Sequence, residues 1–152
     1  MTTTIAADIL EARLIDQEHR RIRDGLASLE EAIARGPRLD RGEAIDRVVR
    51  TLAWLRRDVI PHAAWEEAWL YPRLDAIAAT PWATRAMRFE HEQIRELALV
   101  LERDFTAAEA RWTPEEAFRL VVAMTRLATL ISAHVTLEQR FVEPLLELSS
   151  MS

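Results

Sequence analysis

Cysteine and lysine are both absent from this 152-residue chain, and glycine occurs only 3 times. Without cysteine there are no disulfides, no thiolate zinc sites, no iron–sulfur clusters and no cysteine nucleophile. The lack of lysine leaves all 20 basic residues as arginine, which matters only where a buried carboxylate needs a cation. Long apolar runs are missing too. The most apolar stretch, 120–135, is interrupted by Arg126, and the first residues lack the basic-then-apolar order of a leader. A net charge of −5 repels phosphate backbones and anionic lipid. The expectation is a soluble, cytoplasmic protein with no nucleic-acid partner and no membrane partner. Scarce glycine beside abundant Ala, Leu, Glu and Arg points to a chain built almost wholly of helix. The length suits one domain over residues 1–152.

Punctuation divides the chain into four long helical segments. The first, from about Thr4 to Arg35, stops at Gly36-Pro37. The second opens at Asp40 as N-cap with Glu43 as capping-box partner and runs to about Leu74 or Ala78, bent by Pro61 just before His62. The third opens at Thr80-Pro81, and the fourth at Thr113-Pro114-Glu115-Glu116. Short connections force antiparallel neighbours, giving an all-α, up-down-up-down four-helix bundle. Each helix carries one apolar stripe. These are Ile15, Ile22, Leu26, Leu29 and Ile33; Leu52, Leu55, Val59, Trp65 and Trp69; Met87, Ile94, Leu101 and Phe105; and Leu127, Leu130, Ile131, Leu137, Phe141 and Leu145. All four histidines of the chain fall on these stripes, so all four should face the core.

The second half repeats the first at an offset of 72 residues: His19 maps onto His91, His62 onto His134, Glu66 onto Glu138 and Pro72 onto Pro144. Glu18-His19-Arg20-Arg21-Ile22 thus faces Glu90-His91-Glu92-Gln93-Ile94, and the bundle reads as two repeated helical hairpins. His62/Glu66 and His134/Glu138, four apart, each offer a nitrogen and an oxygen about 6 Å apart along a helix face. Two buried glutamates with no lysine would be costly to ionise in an apolar core, and a pair of dications removes that cost. A symmetric two-metal centre follows. Mixed nitrogen and oxygen donors on a helix bundle favour iron, with manganese or zinc as less favoured occupants.

A lone histidine followed by His-x-x-x-Glu, twice over, resembles the hemerythrin-like (HHE cation-binding) family. The flanking strings agree: Trp65-Glu66-Glu67 to Leu70-Tyr71-Pro72, Glu90-His91, and Pro144-Leu145-Leu146, over about residues 10 to 148. The resemblance implies a non-haem di-iron site with His19, His62, Glu66, His91, His134 and Glu138 as metal ligands. By geometry each iron takes two histidines while Glu66 and Glu138 bridge. Oxygen-carrying relatives add a fifth histidine where this chain has Arg95, mirrored by Arg23, and end on an aspartate five residues after its histidine, where this chain has Glu138 at four. Both irons should therefore keep an exchangeable position, which favours reactivity and sensing over storage. The expected function is binding or sensing of dioxygen, nitric oxide or peroxide, oxidation giving an oxo- or hydroxo-bridged pair. The alternatives are a peroxide-consuming or nitrosative-damage-response enzyme, and a non-catalytic iron-handling or interaction module. A sensor needs an output, so an unknown protein partner is expected, and a homo-oligomer stays open.

Neighbouring residues carry plainer readings. Trp65 and Trp69 wall the site, while the other tryptophans pack or lie at the surface. Tyr71, nine residues from His62 and half a turn away on an α-helix, stays outside it. Asp58 either orients His62 or is displaced by the distortion at Pro61. Arg23 and Arg95 either approach the carboxylates or reach to solvent. Glu18, Glu67 and Glu90 are solvated neighbours or outer groups of the site.

Overall fold

Asp40 starts the second helical rod as its sequence demands. Its side chain accepts from Glu43 N at 2.9 Å while the Glu43 carboxylate accepts from Asp40 N at 3.4 Å. The computed structural model describes the backbone of residues 2–36 and 40–150, with side chains for 17–36, 40–142 and 144. No strand occurs among the described residues. Helix α1 is Thr2–Arg35. The second rod joins α2 (Arg41–Trp54), α3 (Ile60–Trp65) and α4 (Tyr71–Ile77) through two π-helical turns, Leu55–Val59 and Glu66–Leu70. Helices α5 (Arg85–Ala110) and α6 (Pro114–Ser150) follow. Helix α6 packs along α5 and also against α1 and α4, while α2 packs against α1 and α5, so the helices form a bundle.

Pro61 does not simply bend its helix. Proline lacks an N–H, and its ring clashes with the carbonyl four residues back. The chain responds by opening the preceding turn, so that Ile60 N–H bonds to Leu55 O, five residues back. Pro72 has the same effect: Tyr71 N–H bonds to Glu66 O. Each π turn brings residues five apart, instead of four, onto one face. Trp69 is therefore not beside Trp65. It is 61% exposed, and Leu70 takes the buried place. Phe141, the other stripe residue misplaced by simple periodicity, is also exposed. Pro37 and the Ile15 and Leu145 side chains lie outside the described residues.

The turn after α4 is a Schellman closure, with Thr80 N–H to Asp75 O at 3.0 Å and Ala79 N–H to Ala76 O at 3.2 Å. It forces Ala79 to φ 52°, the left-handed conformation usually given to glycine. Thr80-Pro81 does not open the next helix. Thr80 Oγ1 accepts from Trp82 N within the turn, and α5 begins at Arg85. What fixes that start is Thr84, whose N and Oγ1 donate to Asp75 at 3.1 and 2.9 Å, with Arg88 Nε donating to Thr84 Oγ1. Thr113-Pro114 does open α6, since Thr113 Oγ1 accepts from Glu116 N at 3.2 Å.

Buried apolar side chains fall into two clusters. The larger includes Ile22, Leu29, Leu55, Leu101, Leu127 and Ile131. The smaller holds Leu70, Tyr71, Leu74, Met87 and Val142. The stretch Pro114–Val142 is long and apolar enough to cross a bilayer by composition, yet Leu120, Met124, Leu127 and Ile131 within it are buried in the larger cluster. Between the clusters lies a polar layer.

Candidate metal centre

Four elements supply that layer. Helix α1 brings His19, α3 and the π turn after it bring His62 and Glu66, α5 brings His91, and α6 brings His134 and Glu138. All except His19 are under 8% exposed; the His19 side chain is 17% exposed. The four Nε2 atoms point at one another's neighbourhood. His19 Nε2 lies 3.1 Å from His62 Nε2, and His91 Nε2 lies 2.9 Å from His134 Nε2. Glu66 spans the pair of pairs, with Oε1 3.0 Å from His62 Nε2 and Oε2 3.3 Å from His91 Nε2. Glu138 does the same, with Oε1 3.3 Å from His134 Nε2 and Oε2 3.7 Å from His19 Nε2.

The six residues predicted from the sequence thus come together as two overlapping sets. In each of His19/His62/Glu66/Glu138 and Glu66/His91/His134/Glu138, the donor atoms lie within 4.8 Å of one another. An ion with bonds of about 2.1 Å at right angles holds its donors about 3.0 Å apart. The nitrogen–nitrogen and shorter nitrogen–oxygen contacts here, at 2.9 to 3.3 Å, match such edges. The donor set therefore fits a divalent cation in each half.

Electrostatics carry the same message. Burial disfavours an imidazolium at His62, but hydrogen bonding and charge from Glu66, helped by Glu18 and Glu138, outweigh it and raise the pKa to about 9. Burial likewise opposes charge on His134, where Glu138, Glu90 and Glu66 raise the pKa to about 8. Burial works against an ionised Glu66, yet hydrogen bonds to His19, His62 and His91 hold its carboxyl far below the usual range. In the metal-free chain, protons on imidazole thus stand where cations would sit.

Tyr71 was excluded by α-helical phase and is in fact central. Its hydroxyl lies 3.1 Å from Glu138 Oε1, 3.3 Å from Glu66 Oε2 and 3.2 Å from His91 Nε2, fully buried. The π turn Glu66–Leu70 puts it there, because residues 66 and 71 now share a face. Burial and the charges of Glu66 and Glu138 push its pKa far above the ordinary phenol value, so it stays a donor to the carboxylates. Arg88 lies over the Tyr71 ring at 5.2 Å. The readable sign was Pro72, which cannot donate to the carbonyl four residues back and so favours a modified turn before it.

Each outer ring nitrogen of three histidines meets a carboxylate. Glu18 Oε2 is 2.8 Å from His62 Nδ1, and Glu90 Oε2 is 2.8 Å from His134 Nδ1, the same pair 72 residues on. Glu67 Oε1 is 2.9 Å from His91 Nδ1. Asp58 is not the partner of His62; it pairs with Arg57 and Arg21 instead. Arg95 neither reaches the bridging carboxylates nor runs free to solvent, since it grips both oxygens of Glu67 at 2.8 and 2.7 Å. Trp65 stacks on His62 at 6.3 Å.

On the larger apolar cluster's side, the histidines border a small cavity of about 20 Å³. Its remaining walls are Ile22/Ile94, Val59/Ile131 and Ala63/Val135, each pair again 72 apart, plus Glu138. A space of this size admits one water-sized or diatomic molecule. A groove of about 790 Å³ runs on the surface along α1 and α6 and reaches none of the six donors.

The family model described as Hemerythrin HHE cation binding domain matches residues 11–146. The chain belongs to the hemerythrin HHE cation-binding domain family. Within this HHE domain all six donors lie inside the matched span, as does Tyr71. No curated protein and no solved structure gave a significant match.

Proposed function

We propose that this HHE domain is a non-haem di-iron protein that binds or senses dioxygen, nitric oxide or peroxide, with Glu66 and Glu138 bridging two ions and each ion taking two histidines. The observation that carries the reading is the pairing of two donor sets through shared carboxylates beside a diatomic-sized cavity with largely apolar walls. Constant separations support a duplicated up-down-up-down bundle beneath it. The inner histidine pairs are both 43 residues apart, and the outer Glu–His pairs are both 44 apart.

Iron in both sets would supply electrons and exchangeable coordination positions for such a ligand. The chain's residues do the rest. Apolar walls exclude bulk water and suit uncharged diatomics. Glu18, Glu67 and Glu90 fix imidazole orientation. Tyr71 holds a proton beside both carboxylates, and this favours a second reading, a peroxide-consuming enzyme, in which that proton serves a departing oxygen.

Anaerobic reconstitution with ferrous iron, followed by spectra with dioxygen, nitric oxide and peroxide in turn, tests the proposal. Two irons per chain and new near-ultraviolet absorption are expected. A limit of one ion per chain, or spectra unmoved by all three, refutes it. Sustained peroxide turnover selects the enzyme reading.

A further inference from the structure

The duplicated centre is not symmetric in its outer contacts. Repeat logic pairs Glu18–His62 with Glu90–His134, but the third carboxylate, Glu67, has Gln139 as its counterpart, and Gln139 is exposed. Glu67 is itself anchored by the two contacts from Arg95. The Arg88 guanidinium, donating to Glu67 O at 3.3 Å, holds the backbone of the same residue. His91 is 1% exposed and also meets the Tyr71 hydroxyl, whereas His19, its repeat mate, is 17% exposed at the side chain.

We propose that Glu67, clamped by Arg95, preorganises His91 so that the His91/His134 half takes the first cation tightly and the His19/His62 half takes the second, more exchangeably. The inference rests on the two-metal reading above. A ligand whose orientation is fixed before binding loses less freedom when it binds, and an outer carboxylate also strengthens its imidazole as a donor. Arg95 is a positioning residue: its Nη2 alone donates to both oxygens of the Glu67 carboxylate and so fixes its orientation. The more open half, reached through His19, becomes the place where ions exchange with solvent.

The test uses the full chain, stripped of metal and titrated with Zn²⁺ as a redox-silent probe. Its four histidines give four sets of imidazole nitrogen resonances in NMR. At one equivalent of Zn²⁺ the His91 and His134 signals should move and those of His19 and His62 should stay. Calorimetry should show Glu67→Gln weakening the first binding step about 10- to 100-fold while sparing the second, and Glu18→Gln weakening the second while sparing the first. Arg95→Gln should weaken the first step and should not add to Glu67→Gln. Glu67 and Arg95 are only partly buried, so these variants are expected to fold. Uptake of the first ion by His19 and His62, or equal weakening of both steps by Glu67→Gln, overturns the inference. Wild-type protein that binds fewer than two Zn²⁺ instead refutes the two-metal reading itself.

Discussion

Raising the pH should loosen the metal-free protein and tighten its hold on cations, two opposite trends from the same imidazoles. His62 is raised from 6.5 to about 9 and His134 from 6.5 to about 8. Below 6.5 the folded and unfolded chains are both protonated at these positions, and the stabilisation is fully present. Between 6.5 and about 9 the folded chain binds more protons than the unfolded one, so stability falls as pH rises. At about 1.4 kcal/mol per pH unit, His62 contributes about 3 kcal/mol and His134 about 2 kcal/mol. The two share Glu66 and Glu138, so about 5 kcal/mol is an upper bound. A domain of ordinary stability, roughly 5–15 kcal/mol, would feel that loss strongly. Urea unfolding of chelator-treated protein, followed by tryptophan fluorescence across this window, measures it. Cation affinity over the same range should climb, because binding must displace those protons. A metal-free stability that stays flat or rises between 6.5 and 9 would refute the charge balance drawn for the centre.

Removing the hydroxyl with Tyr71→Phe should cost the metal-free protein about 1–3 kcal/mol in thermal or urea unfolding, since Glu66 and Glu138 lose a buried donor. Cation stoichiometry should stay at two; a fall to one would make Tyr71 a ligand instead. Ala63→Val, which copies Val135 of the other half, should fill the cavity and slow nitric oxide association with the iron-loaded protein, at a stability change below about 1.5 kcal/mol. Gly25→Ala should destabilise by about 1–3 kcal/mol despite alanine's better helix propensity, because a methyl there collides with the Trp54 indole. Ala79→Gly should do the reverse and raise the urea midpoint by relieving the left-handed alanine, a gain of about 1 kcal/mol.

What could be read from the sequence was whatever obeys a single helical period. Asp40 with Glu43, and Thr113 with Pro114, announce helix starts through short-range hydrogen bonds that need no tertiary context. The six donors were legible because the offset of 72 ties them together. Tyr71 and Trp69 were assigned to the wrong faces for one shared reason, the π turn at Glu66–Leu70 that slips the phase between His62 and everything after it. Glu18, Glu67 and Glu90 could be read only as solvated neighbours or outer groups, without partners, because Glu18 and Glu67 reach histidines 44 and 24 residues away, which no local pattern reports. Asp58, the locally plausible partner, is drawn off by Arg57 and Arg21. The start of α5 depends on Asp75 and Thr84 meeting across a turn, again a contact that spacing alone does not disclose.

The surplus residue in the turn at Glu66–Leu70 makes the rod tolerant of one particular shortening. Deleting solvent-facing Ala68 or Trp69 would look harmless on an exposure map, and ordinary α pairing could then resume. The excision would leave Glu66 and Tyr71 four apart, the α-helical same-face spacing, so Tyr71 and Leu74 would keep facing inward while His62 and Glu66 stayed put. Loss of one residue here is thus absorbed, whereas the same loss within the all-α stretch Arg85–Ala110 would rotate everything beyond it by about 100°.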